Sequence, residues 1–208
     1  MKRKSYSHIG RKKHPINAAF WQRCYVKGDA FWDHGEPSPG LVDFLKQQKP
    51  TPGKVLVPGC GRGHDCRELA RHGFAVTGLD ISPRGAKEAN DLALKDSLEI
   101  DYVVGNFLRP PRKWHGRFDW VLEHTCFCAI DPRLRDRYVK AAATVLKRHG
   151  LFLGVFYNIQ PKSGPPFGTT RAELIDRFSG RFKLLLAKVP RSYPNRKGKE
   201  LLMLWQKK

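Results

Sequence analysis

Residues 55–65, "VLVPGCGRGHD", decide the fold. Aliphatic residues run into Pro58, glycines stand at 59, 61 and 63, and His64 and Asp65 close the segment. A short apolar run that breaks into glycines reads as a buried strand turning tightly into a helix. Glycines there let the backbone approach a ligand with no side chain in the way. A phosphate loop needs G-x-x-x-x-G-K followed by Ser or Thr, and this stretch holds no lysine. A dinucleotide fingerprint needs a sixth-position glycine counted from Gly59, and His64 occupies that place. What remains is a G-x-G-x-G turn, with Asp80 following 21 residues after Gly59. An acid at the tip of the neighbouring strand lies beside such a turn and can accept both hydroxyls of a ribose. A nucleoside cofactor with no phosphate signature points to S-adenosylmethionine. His64 and Asp65 then read as the start of a helix, where an acid suits the dipole, and not as metal ligands with Cys60.

Outward from this turn, short apolar strands alternate with helices. "KVLVP" (54–58), "FAVTGLD" (74–80), "IDYVVGN" (100–106), "FDWVLEH" (118–124) and "LFLGVFY" (151–157) read as strands. Helices are expected over 41–48, stopped by Pro50 and Pro52; over 65–73; over 82–96, capped by Ser82; over 131–150, from Asp131 to Gly150; and over 169–178. Two late strands, "FKLLLAKV" and "ELLMLWQKK", flank a turn and suggest a hairpin. The expectation is an α/β domain, doubly wound, with a mostly parallel Rossmann-like sheet of about seven strands and an antiparallel C-terminal hairpin. Ligands in such sheets bind at the carboxyl ends of the strands.

The chain of 208 residues suits one domain, expected over 16–208, after a basic tail at 1–15 expected to be disordered. The formal net charge is +20; the first 28 residues carry eight Lys or Arg and no acid, and residues 181–208 carry nine against Glu200 alone. Such a field attracts nucleic acid or small anions, although no RNA-binding motif accompanies it. No apolar run is long enough for a membrane span or a signal peptide, so a cytoplasmic address without membrane partners is expected. Five cysteines without a C-x-x-C pair argue against a disulfide framework or a zinc site.

The chain resembles class I S-adenosylmethionine-dependent methyltransferases, and more narrowly the thiopurine, thiol and halide methyltransferase family. The resemblance rests on "FWQRCYVKGDAFWDHGEPSPGL", "VLVPGCGRGHD", "GLDIS", "EHTCFCAIDPRLRDRYV", "GPPF" and "PNRKGKELLMLW", which run in order from about residue 20 to the C-terminus. It implies that Trp21, Tyr25 and Trp32 cover the cofactor, where aromatic faces attract a sulfonium cation. It implies further that Gly59, Cys60 and Gly61 meet the methionine part by backbone contact, and that Asp80 with Ile81 meets the ribose. Asn106 stands where the family usually has an acid against adenine; an amide can still accept a hydrogen bond there. Phe107 would pack near the ring, and Glu123 and His124 would line the transfer centre. Tyr157 resembles a position that contacts the nucleophile, and Arg196 would favour an anionic acceptor.

Methyl transfer from a sulfonium is an in-line displacement in which positioning is the main contribution. A thiol already has an appreciable thiolate fraction, so no catalytic dyad is required. His124 is nevertheless a candidate proton acceptor beside Tyr157. The implied acceptor is a small thiol, sulfide or halide, taken by a monomer. Nucleic acid is the alternative suggested by charge, but the Asn/Asp-Pro-Pro-aromatic run of amino methyltransferases is replaced here by "EHTCFC", and no Pro-Cys pair occurs.

Overall fold

The computed structural model describes residues 16–160 and 163–208; the basic tail at 1–15 lies outside the described residues. In chain order the elements are α1 (Ala18–Lys27), α2 (Pro39–Gln48), β1 (Lys54–Pro58), α3 (His64–Arg71), β2 (Ala75–Asp80), α4 (Pro83–Lys95), β3 (Asp101–Val104), β4 (Phe118–His124), α5 (Arg135–Val145), β5 (Leu146–Tyr157), α6 (Arg171–Ser179), β6 (Phe182–Lys188) and β7 (Glu200–Lys207). The strands form one seven-stranded sheet in the order β3-β2-β1-β4-β5-β7-β6. β1 pairs in parallel with β2 and β4, and β4 with β5; β7 runs antiparallel to both β5 and β6. The strand order reverses direction between β1 and β4, which is where an open α/β sheet presents its crevice.

Each sheet face carries its own core. On one side Leu41 and Phe44 of α2 and Leu69 of α3 pack with Val55, Trp120 and Leu202. On the other, Tyr138 and Ala142 of α5 and Phe178 of α6 pack with Val121, Phe152 and Trp205. Strands buried on both faces explain the continuous apolar runs in the sequence. Local signals set several ends: Ser82 accepts the Gly85 N–H at 3.1 Å and Thr170 accepts the Glu173 N–H at 3.1 Å.

Two elements depart from the sequence-based expectation. The helix expected over 131–150 is a short 3-10 turn at Pro132–Leu134, then α5, and it ends at Val145. "LKRHG" belongs to β5 instead: Leu146 is extended, fully buried and paired with Phe118, and His149 rather than Gly150 takes the left-handed conformation (φ 62°). Burial of Leu146 in the sheet core outweighs a helical pattern that would leave it on a frayed last turn. α1 was not expected as a helix at all; Asn17 caps it by accepting the Phe20 N–H at 3.1 Å, and Gly28 closes it with φ 71°.

Candidate active site

A cavity of about 850 Å³ lies between α1 with its following loop and the carboxyl ends of the strands. Of the residues singled out from the sequence, Trp21, Tyr25, Trp32, Gly59, Asp80, Ile81, Asn106, Phe107, Tyr157 and Arg196 line it. Cys60, Gly61, Glu123 and His124 stand outside its lining.

The turn after β1 is built by its own backbone. Gly59 has φ 63°, and a Cβ there would come within 2.8 Å of the Cys126 sulfur, so only glycine fits. Cys60 N–H donates to the Leu79 carbonyl at 3.1 Å, and Gly61 N–H donates to Asp80 Oδ2 at 2.9 Å. Those two residues therefore brace the turn against β2 instead of pointing donors into the cavity. Asp80 Oδ1 accepts the Ser82 N–H at 2.8 Å. Burial raises the Asp80 carboxyl above the usual range, and these backbone N–H bonds offset part of that shift. Each oxygen keeps a further lone pair for a ligand hydroxyl. Asn106 uses Oδ1 to accept the Leu108 N–H at 2.9 Å, closing its own turn, while Phe107 packs edge-on to Tyr138 at 4.8 Å.

The roof over this half is aromatic. Trp32 meets Trp21 at 5.2 Å and Tyr25 at 5.7 Å, both edge to face. α1 is fastened to the start of α4 by Gln22, whose Oε1 accepts from Ser82 Oγ at 2.7 Å and from Arg84 N–H at 3.0 Å. The loop carrying Trp32 is fastened to the glycine turn through Asp33, which holds Arg62 at 2.8 Å and His64 at 3.0 Å. Burial opposes that carboxylate, but the His64, Arg62 and Gly35 hydrogen bonds prevail and hold its pKa far below the ordinary value.

The other half of the cavity lies over β5 and β7. Tyr157 ends β5, and the Arg196 guanidinium, from a 3-10 turn at Pro194–Arg196, stacks over its ring at 4.9 Å. Arg196 also lies 5.6 Å from the Tyr193 ring and binds Glu200 Oε1 at 3.2 Å. Behind this pair stands His124, whose Nδ1 meets Asp65 Oδ2 at 2.7 Å and whose Nε2 is 3.9 Å from Glu200. Asp65, His124, Glu200 and Arg196 thus alternate in charge. Burial alone would lower the His124 pKa; Asp65 and Glu200 more than offset it, and the net shift is upward. Glu123 is sealed in the core, accepting the Phe127 N–H at 2.7 Å and the Tyr138 hydroxyl. Burial pushes its carboxyl up to about 7. Its partner Tyr138 lines the cavity.

Several contributors escaped the sequence reading. Asp65 was seen only as a helix-start acid, yet it also accepts the Ser38 N–H at 2.7 Å and orients His124. His34 and Tyr193 stack at the β5–β7 end of the cavity, and neither carries a local signal. Pro165 and Pro166 of "GPPF" form a cavity wall, held by Arg135, which donates to the Gly168 carbonyl at 2.9 Å and pairs with Glu173. Among the described residues no cluster of side chains could hold a metal ion, and no helix is long and apolar enough to cross a membrane.

A glycine turn after β1, an acid ending β2 and an aromatic roof fit a nucleoside cofactor bearing a cationic sulfonium, and solved structures share the fold. The Burkholderia thailandensis 1,6-didemethyltoxoflavin-N1-methyltransferase, with S-adenosylhomocysteine bound, matches with a TM-score of 0.73 at 21% identity over 92% of this chain and 87% of that one. The thiopurine S-methyltransferase family model matches residues 16–202. The chain belongs to that family and is an S-adenosylmethionine-dependent methyltransferase. Among its relatives are thiocyanate methyltransferase 1 of Arabidopsis thaliana, 31% identical over 90% of this chain and 84% of the relative, and the thiopurine S-methyltransferase of Aliivibrio salmonicida, 26% identical over 79% and 84%. A mouse protein named EEF1A lysine methyltransferase 2 is also 31% identical, over 86% and 74%.

Proposed function

We propose that the chain moves the methyl group of S-adenosylmethionine to a small sulfur nucleophile, a thiol or sulfide, with halide as a further acceptor. The observation that carries this reading is Arg196 stacked on Tyr157 at the β5–β7 end of the same cavity that Asp80 and Gly59 line at the β2–β1 end. Along the sheet order, the end of β4 falls between these two groups, which is where the methyl would pass. The bound cofactor supplies a methyl group on a positively charged sulfur.

Asp80 and Ile81 hold the ribose, Asn106 and Phe107 hold the adenine, and Trp21, Tyr25 and Trp32 close over the sulfonium and exclude water. Gly59 leaves the chain bare where the methionine part lies, while Cys60 and Gly61 brace that turn. Tyr157 and Arg196 hold the acceptor behind the methyl carbon, and in-line positioning supplies most of the rate. A buried guanidinium favours a thiolate, hydrosulfide or halide and opposes a lysine ammonium. This sets the acceptor apart from that of the relative named for lysine. Among the described residues nothing at the cavity favours RNA. Five free cysteines suit a reducing compartment, and the reading includes a cytoplasmic monomer.

The test is incubation with methyl-labelled cofactor and, separately, methanethiol, hydrosulfide, an aromatic thiol, iodide, a lysine peptide and total RNA. Label is expected in the sulfur acceptors. Label confined to peptide or RNA would overturn the reading.

A further inference from the structure

His34 occupies the loop after α1, next to Asp33, which Arg62 and His64 anchor to the glycine turn. Its ring lies flat on Tyr193, with centroids 3.8 Å apart and planes 12° from parallel. Tyr193 is itself fixed, buried and donating its hydroxyl to the Glu36 carbonyl at 2.9 Å. The imidazole is therefore held in place on the wall of the cavity that Tyr157, Asn195 and Arg196 also form. Neither ring nitrogen has a hydrogen-bond partner among the described residues.

Among the described residues no other base at the cavity is free in this way. Both oxygens of Asp80 accept backbone N–H groups, and Asp131 at the rim is bound by Arg133. His124 is tied to Asp65 outside the lining, and Glu123 is sealed behind Tyr138. Burial raises the Cys126 and Cys128 thiols, so neither is an anion ready to accept a proton. The groups facing His34 are Arg196 and His124, which oppose a second positive charge, and Glu200 and Asp33, which favour it. Burial acts first and with the cations, and the net shift is downward, leaving a neutral ring at neutral pH.

We propose that His34 is the catalytic proton acceptor for nucleophiles that arrive protonated, above all neutral thiols; this rests on the S-methylation reading. The thiol S–H bond breaks and its proton passes to a ring nitrogen of His34. The sulfur lone pair forms the new bond to the methyl carbon, and the electron pair of the methyl's former bond to sulfur stays with the departing thioether. The half-buried imidazolium then returns its proton to water. Halides and ionised thiols need no such step, so the same cavity serves both, and His34 extends its range to high-pKa thiols.

The deciding experiment compares kcat/KM for the intact enzyme and His34→Gln over thiols running from an aromatic thiol ionised at neutral pH to an alkanethiol. The alkanethiol rate is expected to fall on the order of 100-fold, the range of general-base catalysis. The ionised aromatic thiol should stay within about threefold of the intact enzyme. The alkanethiol deficit should close as the pH is raised past the thiol's own pKa. Equal losses on all thiols would show a structural role, and no loss on any would show that no base is needed; either overturns the proposal. Calorimetric binding of S-adenosylhomocysteine checks the variant's fold, and His34→Asn repeats the comparison if that binding is lost. If the intact enzyme methylates no thiol at all, the S-methylation reading itself fails, a result distinct from any seen with the variants.

Discussion

The two ends of the cavity are built by opposite means. Over β2 and β1 the wall is largely backbone: Asp80 takes the N–H groups of Gly61 and Ser82, and Cys60 N–H goes to Leu79. Over β5 and β7 it is side chain: Asp65, His124, Glu200 and Arg196 form an alternating buried series, overlaid by the rings of Tyr157, Tyr193 and His34. The first design is set by the chain's own hydrogen bonds and leaves little to adjust. The second places a cation with precision but depends on every partner, because buried charges tolerate no vacancy.

The contrast breaks most visibly at Arg196. Arg196→Met leaves Glu200, 1% exposed, without its close partner. Urea denaturation should show a loss of about 3–5 kcal/mol. Arg196→Met combined with Glu200→Met should recover most of it, since an apolar pair of similar volume replaces the ion pair; a double variant no more stable than the single one would contradict the account.

The next effect concerns pH. The Glu123 carboxyl is raised from 4.5 to about 7 by burial, so its contribution to stability is full below 4.5 and is lost as pH rises to about 7. At one pKa unit per ~1.4 kcal/mol, the loss is on the order of 3 kcal/mol. The His124 shift has the same sign, and its contribution is lost as pH rises from its ordinary 6.5 through its higher folded value. Denaturation curves from pH 4 to 9 should flatten for Glu123→Gln across about 4.5–7, and for His124→Gln only above about 6.5.

The smallest expected effect sharpens the backbone end. Asp80→Asn keeps one acceptor oxygen but faces either the Gly61 or the Ser82 N–H with a donor. S-adenosylhomocysteine affinity, by calorimetry, should fall about 10–100-fold, the worth of a charged hydrogen bond. Arg196→Met should leave that affinity nearly unchanged, because it acts at the other end.

Legibility in the sequence follows the same division. Gly59, Asp80, Ser82 and the strand–helix alternation were readable because their partners lie close in the chain or obey fixed periodicities. Most of the family-aligned positions, from Trp21 to Tyr157, do line the cavity; Glu123 and His124 do not, because each side chain at the end of β4 turns to a partner behind the wall. The helix expected over 131–150 ended early because the burial of Leu146 in the sheet overrode the local pattern. Asp65 looked like an ordinary first-turn acid, and nothing within its own helix discloses His124, 59 residues away.

The sequence by itself determined the doubly wound sheet and the β1–β2 end of the cavity, since glycine conformational freedom, strand spacing and an acid 21 residues beyond Gly59 are properties of one short segment. Only the tertiary structure decided the β5–β7 end. The reversal of strand order at β1–β4 and the antiparallel return of β7 bring His34, Tyr157 and Arg196 onto one cavity wall, with His124 and Asp65 behind it. Side-chain charges drawn from such distant segments acquire their chemistry from burial and mutual distance, and neither quantity is written in any local stretch of the chain.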